Sequence, residues 1–88
     1  MHLKYKFEMM ELGDQFVAVP VGEGAEHLHG VIKLNETAAL IFKLLEEETT
    51  EKAIIQKLLT EYDIPEEVVT KDLSNYIQTF QEKDILVI

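Results

Sequence analysis

A β-type segment ends and a helix begins within one residue at Leu34-Asn35-Glu36-Thr37-Ala38-Ala39. Asn35 is a strong N-cap, because its side-chain oxygen can accept from a free backbone N–H of the first helical turn. Glu36 follows where the helix dipole favours negative charge. The hinge divides the chain into a sheet-forming N-terminal third and a helical remainder, and so bounds what it can fold into.

Before the hinge, Leu3, Tyr5, Phe7 and Met9 alternate with Lys4, Lys6, Glu8 and Met10, the period of a half-buried strand. Gly13-Asp14 marks a turn, and β-type residues resume from Asp14 to Val21, which predicts a hairpin. Pro20 cannot donate to a ladder and reads as a strand end or edge. Gly22 to Gly24 reads as a flexible loop, and Leu28 to Leu34 as a third strand.

Three helices are expected to cover one face of that sheet. The first runs from about Glu36 to Glu47, with Ala38, Ile41, Phe42 and Leu45 on one face, widened by Leu40 and Leu44. The second starts after Thr49-Thr50, either of which can cap, with Ile54, Ile55, Leu58, Leu59 and Tyr62 as its apolar side. Asp63-Ile64-Pro65 interrupts the chain, since the residue before proline avoids the α region. The third spans about Glu66 to Lys83 and buries Val69, Leu73, Tyr76, Ile77 and Phe80. Asp84 then serves as a left-handed stop, and Ile85 to Ile88 is an apolar tail that must pack somewhere. The expected class is α+β in one domain over 1–88: a three-stranded antiparallel N-terminal sheet, then a three-helix bundle, winged-helix-like with the sheet first.

Composition removes several functions. A chain of 88 residues buries only roughly 60–65% of its unfolded surface, enough for one small core. It has no cysteine, which excludes thiolate chemistry and fits a cytoplasmic location. The first residues lack a long apolar run, so neither a signal peptide nor a membrane span is expected. Net charge is −9: three Lys against five acids in residues 1–34, and five Lys against twelve acids in residues 35–88, with no Arg. Phosphate contact and guanine readout lean on Arg and a positive face. The third helix carries Glu66, Glu67, Asp72 and Glu82 against Lys71 and Lys83, so nucleic acid is not an expected partner.

The motifs in order resemble the PqqD-like family, typified by the peptide chaperone of pyrroloquinoline quinone biosynthesis and including the RiPP recognition elements. The resemblance rests on Leu34-Asn35-Glu36-Thr37-Ala38-Ala39, Ile41, Leu44-Leu45, Thr50, Tyr62-Asp63, the Val69/Asp72/Leu73 run and Ile85-Leu86. It covers about residues 28–88, and the hairpin by pattern only. Two positions depart from it: Glu48 and Asp84 stand where the family often has glycine. The resemblance implies a non-catalytic module without a cofactor. Such a module binds the leader part of a precursor peptide and presents it to a modifying enzyme, often a radical SAM enzyme. The peptide is added as a strand, with backbone groups supplying affinity and side-chain pockets specificity.

Carried onto this chain, the resemblance puts the receiving edge at Gly30, Val31, Ile32, Lys33 and Leu34, beside the third helix. The flank holding Val68, Asp72, Asn75 and Thr79 is taken as the groove wall, with the flank of Thr70, Ser74 and Gln81 as the alternative. Asp72 has two readings, a partner for a basic leader residue or a surface acid beside Lys71. Met9 and Met10 suit either strand packing or an adaptable binding surface, and an exposed apolar hairpin would favour a homodimer. The acidic balance predicts a basic peptide or enzyme surface, bound more weakly as salt rises.

Other chemistry is thin. His27 and His29 would share a strand face beside Glu26, yet no third group has zinc spacing, so no metal is expected. Ser74, the only serine, lacks a nucleophile elbow, and Glu46-Glu47-Glu48 reads as a hydrated helix end. No enzyme is expected. The competing class is a winged-helix regulatory or protein–protein interaction domain with no role in peptide maturation.

Overall fold

The structure, a computed structural model, describes residues 1–88. In chain order the elements are β1 (His2–Leu3), β2 (Phe7–Leu12), β3 (Gln15–Pro20), α1 (Glu23–His27), β4 (Ile32–Leu34), α2 (Glu36–Leu44), α3 (Glu51–Glu61), α4 (Glu66–Glu82) and β5 (Leu86–Val87). The class is α+β, with an antiparallel sheet in the order β2-β3-β4 and a separate pair β1-β5.

The alternating N-terminal segment splits in two. Leu3 is buried and Tyr5 and Phe7 are half-buried, but Met9 is exposed, and β1 leaves the sheet to pair with the C-terminal tail, Leu3 opposite Leu86. The tail thus gains a partner for its backbone and an anchor for buried Ile85 and Leu86. The Leu3 N–H donates to the Leu45 carbonyl at 2.8 Å and the Lys4 N–H to that of Ile85 at 2.7 Å. These bonds consume the polar groups that would have continued the strand.

In the sheet, Phe7, Met9 and Glu11 lie opposite Pro20, Ala18 and Phe16, and the last two lie opposite Ile32 and Leu34. Directly opposed residues share a face, and fully buried Ala18 marks this face as the inner one. Phe42 of α2 meets it, its ring 4.9 Å from Phe7 and 5.4 Å from Phe80 of α4, edge-on to both. Ile54 and Leu58 of α3 and Val69, Leu73 and Ile77 of α4 complete one continuous core.

Caps set the helix starts. Asn35 Oδ1 accepts from the Ala38 N–H at 2.8 Å, and Thr50, rather than Thr49, accepts from the Ala53 N–H at 3.2 Å. Helix α2 ends at Leu44, short of the expected Glu47, because a run of acids at a helix C-terminus opposes the dipole. Helix α4 ends in a Schellman motif: the Ile85 N–H donates to Phe80 and the Asp84 N–H to Gln81. Asp84 takes the left-handed position, φ 57°, in place of glycine. Its carboxylate accepts from Lys4 Nζ at 3.1 Å, which raises the Lys4 pKa.

The structure corrects the expected loop at Gly22–Gly24. Residues 23–27 form a short helix, making four helices rather than three. Gly24 is buried there, and a Cβ on it would stand 2.9 Å from Tyr5 Cβ and 3.5 Å from Pro20 Cβ. The shared strand face of His27 and His29 therefore does not form; His27 instead stacks on Tyr5 at 5.8 Å. Glu48 needs no left-handed backbone, Asp84 being the one non-glycine residue with positive φ. Its carboxylate binds the Met1 amino group and lies 2.9 Å from His2 Nδ1.

Gly24→Ala should lower stability by about 1–3 kcal/mol, because Tyr5 or α1 must shift; urea denaturation measures it. Hydrogen bonds from the Met1 amino group and then His2 hold the Glu48 carboxyl below its usual range. A folded value below the unfolded one means these contacts stabilise above the unfolded value and are lost as pH falls through the folded one. Carboxyl NMR titration should find Glu48 protonating below the usual glutamate range, and Glu48→Gln should flatten that part of the stability–pH curve.

Candidate functional site

Strand β4 closes one side of the sheet. It pairs with β3 alone, and no turn or loop hydrogen bond reaches residues 30–34. Its outer N–H and C=O groups are therefore open, the feature that templates pairing with another strand. The strand is shorter than expected, beginning at Ile32 rather than Leu28. Gly30 has φ 88°, a left-handed bend outside the range of regular strand residues, and the ladder starts only after it.

The nine residues expected at the site fall into two groups. Ile32, Lys33 and Leu34 are in β4, while Gly30 and Val31 lead into it without ladder pairing. Leu34 is buried in the core, so it contributes backbone only; Ile32 is half-buried, and Val31 is 51% exposed. Val68, Asp72, Asn75 and Thr79 are all exposed on α4. Asp72, Tyr76, Thr79 and Lys83 follow spacings of four, three and four residues, which makes them one ridge of the helix.

Two members of that ridge touch the strand side. The Tyr76 hydroxyl donates to Asn35 Oδ1 at 3.2 Å, so the oxygen that caps α2 also ties α4 to the residue after β4. Lys83 lines a cleft of about 180 Å³ with Gly30, Val31 and Ile32, over an apolar floor that includes Phe7, Leu28 and Ile85. Tyr76 was expected only as core, and Lys83 only as a helix end. The spacing from Asp72 would have found both; the apolar floor, drawn from β2 and the chain's end, had no sequence signal. Thr70, Ser74 and Gln81 lie on a different ridge.

Charge is unevenly placed. Lys83 and His29 line the cleft beside β4, while Lys33, opposite Val17, stands on the outer sheet face; none of these, nor Asp72, forms an ion pair. Neither Asp72 nor Lys71 forms a salt bridge with the other. No helix is long and apolar enough to cross a membrane.

An α+β domain with an open sheet edge beside a long helix is the class these observations define. Residues 18–86 match the family described as Coenzyme PQQ synthesis protein D, and the chain belongs to this PqqD family. A solved structure described as "TbiB1 in Complex with the TbiA(beta) Leader Peptide" shares the fold, with a TM-score of 0.73 at 21% identity, covering 98% of this chain and 94% of that one. No curated protein sequence matches the chain.

Asn35→Ala removes the cap of α2 and the acceptor of Tyr76 together. Stability should fall by about 1–2 kcal/mol, whereas Tyr76→Phe, which keeps the cap, should cost less than about 1 kcal/mol. Equal losses in thermal unfolding would show that the two bonds are not separable.

Proposed function

We propose that this chain is a non-catalytic peptide-recognition domain of winged-helix-like arrangement. It captures the leader part of a precursor peptide along β4 and presents it to a modifying enzyme of radical SAM type. The observation that carries the reading is the unpaired edge of β4 flanked by the Asp72–Lys83 ridge of α4. Membership of the PqqD family supports it, as does sharing the fold of a protein whose structure was determined with a leader peptide.

In the mechanism the chain supplies position rather than chemistry. Backbone groups of Ile32, Lys33 and Leu34 pair with an extended segment, which needs no particular sequence. Selection comes from side chains: the apolar cleft under Val31 takes one residue of the peptide, and Asp72, Asn75 and Thr79 with Val68 face the next ones. Each role follows from exposure beside the open edge. The setting is cytoplasmic. The outer sheet face leaves Met10 51% and Leu12 58% exposed, which supports a homodimer as a secondary association.

The test is an amide chemical-shift titration of the labelled chain with the leader segment of a precursor peptide encoded beside it. Shifts are expected on residues 30–34 and on Val68, Asp72, Asn75 and Thr79. Asp72→Lys should weaken a leader that carries a basic residue there about two- to fivefold, the scale of one exposed ion pair. Shifts confined to the Thr70, Ser74 and Gln81 flank would move the groove, and their absence at millimolar peptide would end the proposal.

A further inference from the structure

The sheet has a second open edge. Strand β2 pairs only with β3, so its far side is free along Phe7–Leu12. Beneath that edge, on the inner face, a cleft of about 390 Å³ separates the hairpin from α2. Met9, Phe16, Leu40 and Tyr62 line it. Each is at least partly exposed, Met9 to 37%. Aromatic and methionine side chains left half-covered around a concavity are the composition of an interface core, and the thioether adapts to varied shapes.

The rim is acidic. Glu36, Glu46 and Glu61 stand around the cleft with Lys43. Glu61 already pairs with Lys57 at 3.2 Å, but Glu36, Glu46 and Lys43 have no ion-pair partner. Glu11 lies opposite Phe16 on the same sheet face and adds another free carboxylate. Local charge is therefore negative over an apolar floor, and a net charge of −9 reinforces it at longer range.

We propose that this cleft docks a segment of a partner protein that presents an apolar side chain between basic residues. A second copy of the chain is a poor occupant, because it brings the same negative charge and none of its cations is arginine. Lys or Arg flanking an apolar anchor would complement Glu11, Glu36 and Glu46 while the anchor covers Leu40 and Tyr62. The two open edges lie on opposite sides of β3, about 9–10 Å apart as strand spacings run. Both can then be occupied at once, which lets the domain hold a peptide on one side and a basic protein on the other.

Two short blocked peptides test the idea, one alternating Lys with Leu and Phe and the other with Glu in place of each Lys. Each is titrated into the labelled full chain. The Lys peptide should shift the amides of Met9, Phe16, Leu40, Lys43 and Tyr62, and the Glu peptide should not. The double reversal Glu36→Lys with Glu46→Lys should weaken the Lys peptide about two- to thirtyfold, the fold-change two exposed ion pairs supply. If that variant melts early, Glu46→Gln alone should still weaken it. Equal shifts with both peptides, shifts on residues 30–34 instead, or no shift at millimolar peptide would each overturn the cleft. Failure of the cleft leaves leader binding at β4 standing, because the leader titration reads that separately on residues 30–34 and on α4.

Discussion

The ring of Phe42 is the contact on which the arrangement depends. It projects from α2 and meets Phe7 of the sheet on one side and Phe80 of α4 on the other, edge to face in both cases. Such pairs add about 0.5–1.5 kcal/mol beyond the area they bury. More important here, they join β2, α2 and α4, which no backbone hydrogen bond joins. The distance between β4 and α4 follows from this stack, because α4 can approach the sheet only as far as the rings allow. Tyr76 stacks on Phe80 at 6.2 Å and carries the same spacing out to the surface, where its hydroxyl meets Asn35.

The ends of the chain close the frame. β1 and β5 pair with each other, and β1 also bonds to the end of α2 through Leu45. The Schellman motif at Asp84 turns the chain so that Ile85 enters the core directly behind Phe80. As a result the C-terminal end of α4, with Lys83, is held against the approach to β4. A sheet of three strands with both edges free is left between two clefts of different character. One carries Lys83 and His29 over an apolar floor and is lined by no carboxylate; the other is apolar and acid-rimmed. That asymmetry is what a domain needs if it is to take two different partners without confusing them.

Much of the architecture was legible in the residues. The hinge at Asn35 stood where expected, with the cap bond formed, and Thr50, Pro65 and Asp84 punctuated the helices as their chemistry requires. The core stripes of α2 and α4 also matched, since a helix with one apolar face has one way to bury it. The misreadings share a cause. Gly22 to Gly24 looked like a loop because glycine permits one, but Gly24 is there so that α1 can approach Tyr5 and Pro20. The third strand looked longer because Leu28 and Val31 are β-type residues, while Gly30 bends the backbone between them.

The sequence by itself determined where sheet becomes helix, which faces are apolar and that the chain is strongly acidic. These are local properties, set by side-chain volume, capping chemistry and charge within a few residues. Only the tertiary structure decided that the tail pairs with the first strand and that Tyr76 and Lys83 stand beside β4. It alone brought Glu61 and Tyr62 to Met9 and Phe16 around one acid-rimmed cleft. Each of those facts joins residues more than forty positions apart, and no local periodicity records which distant groups close packing will bring together.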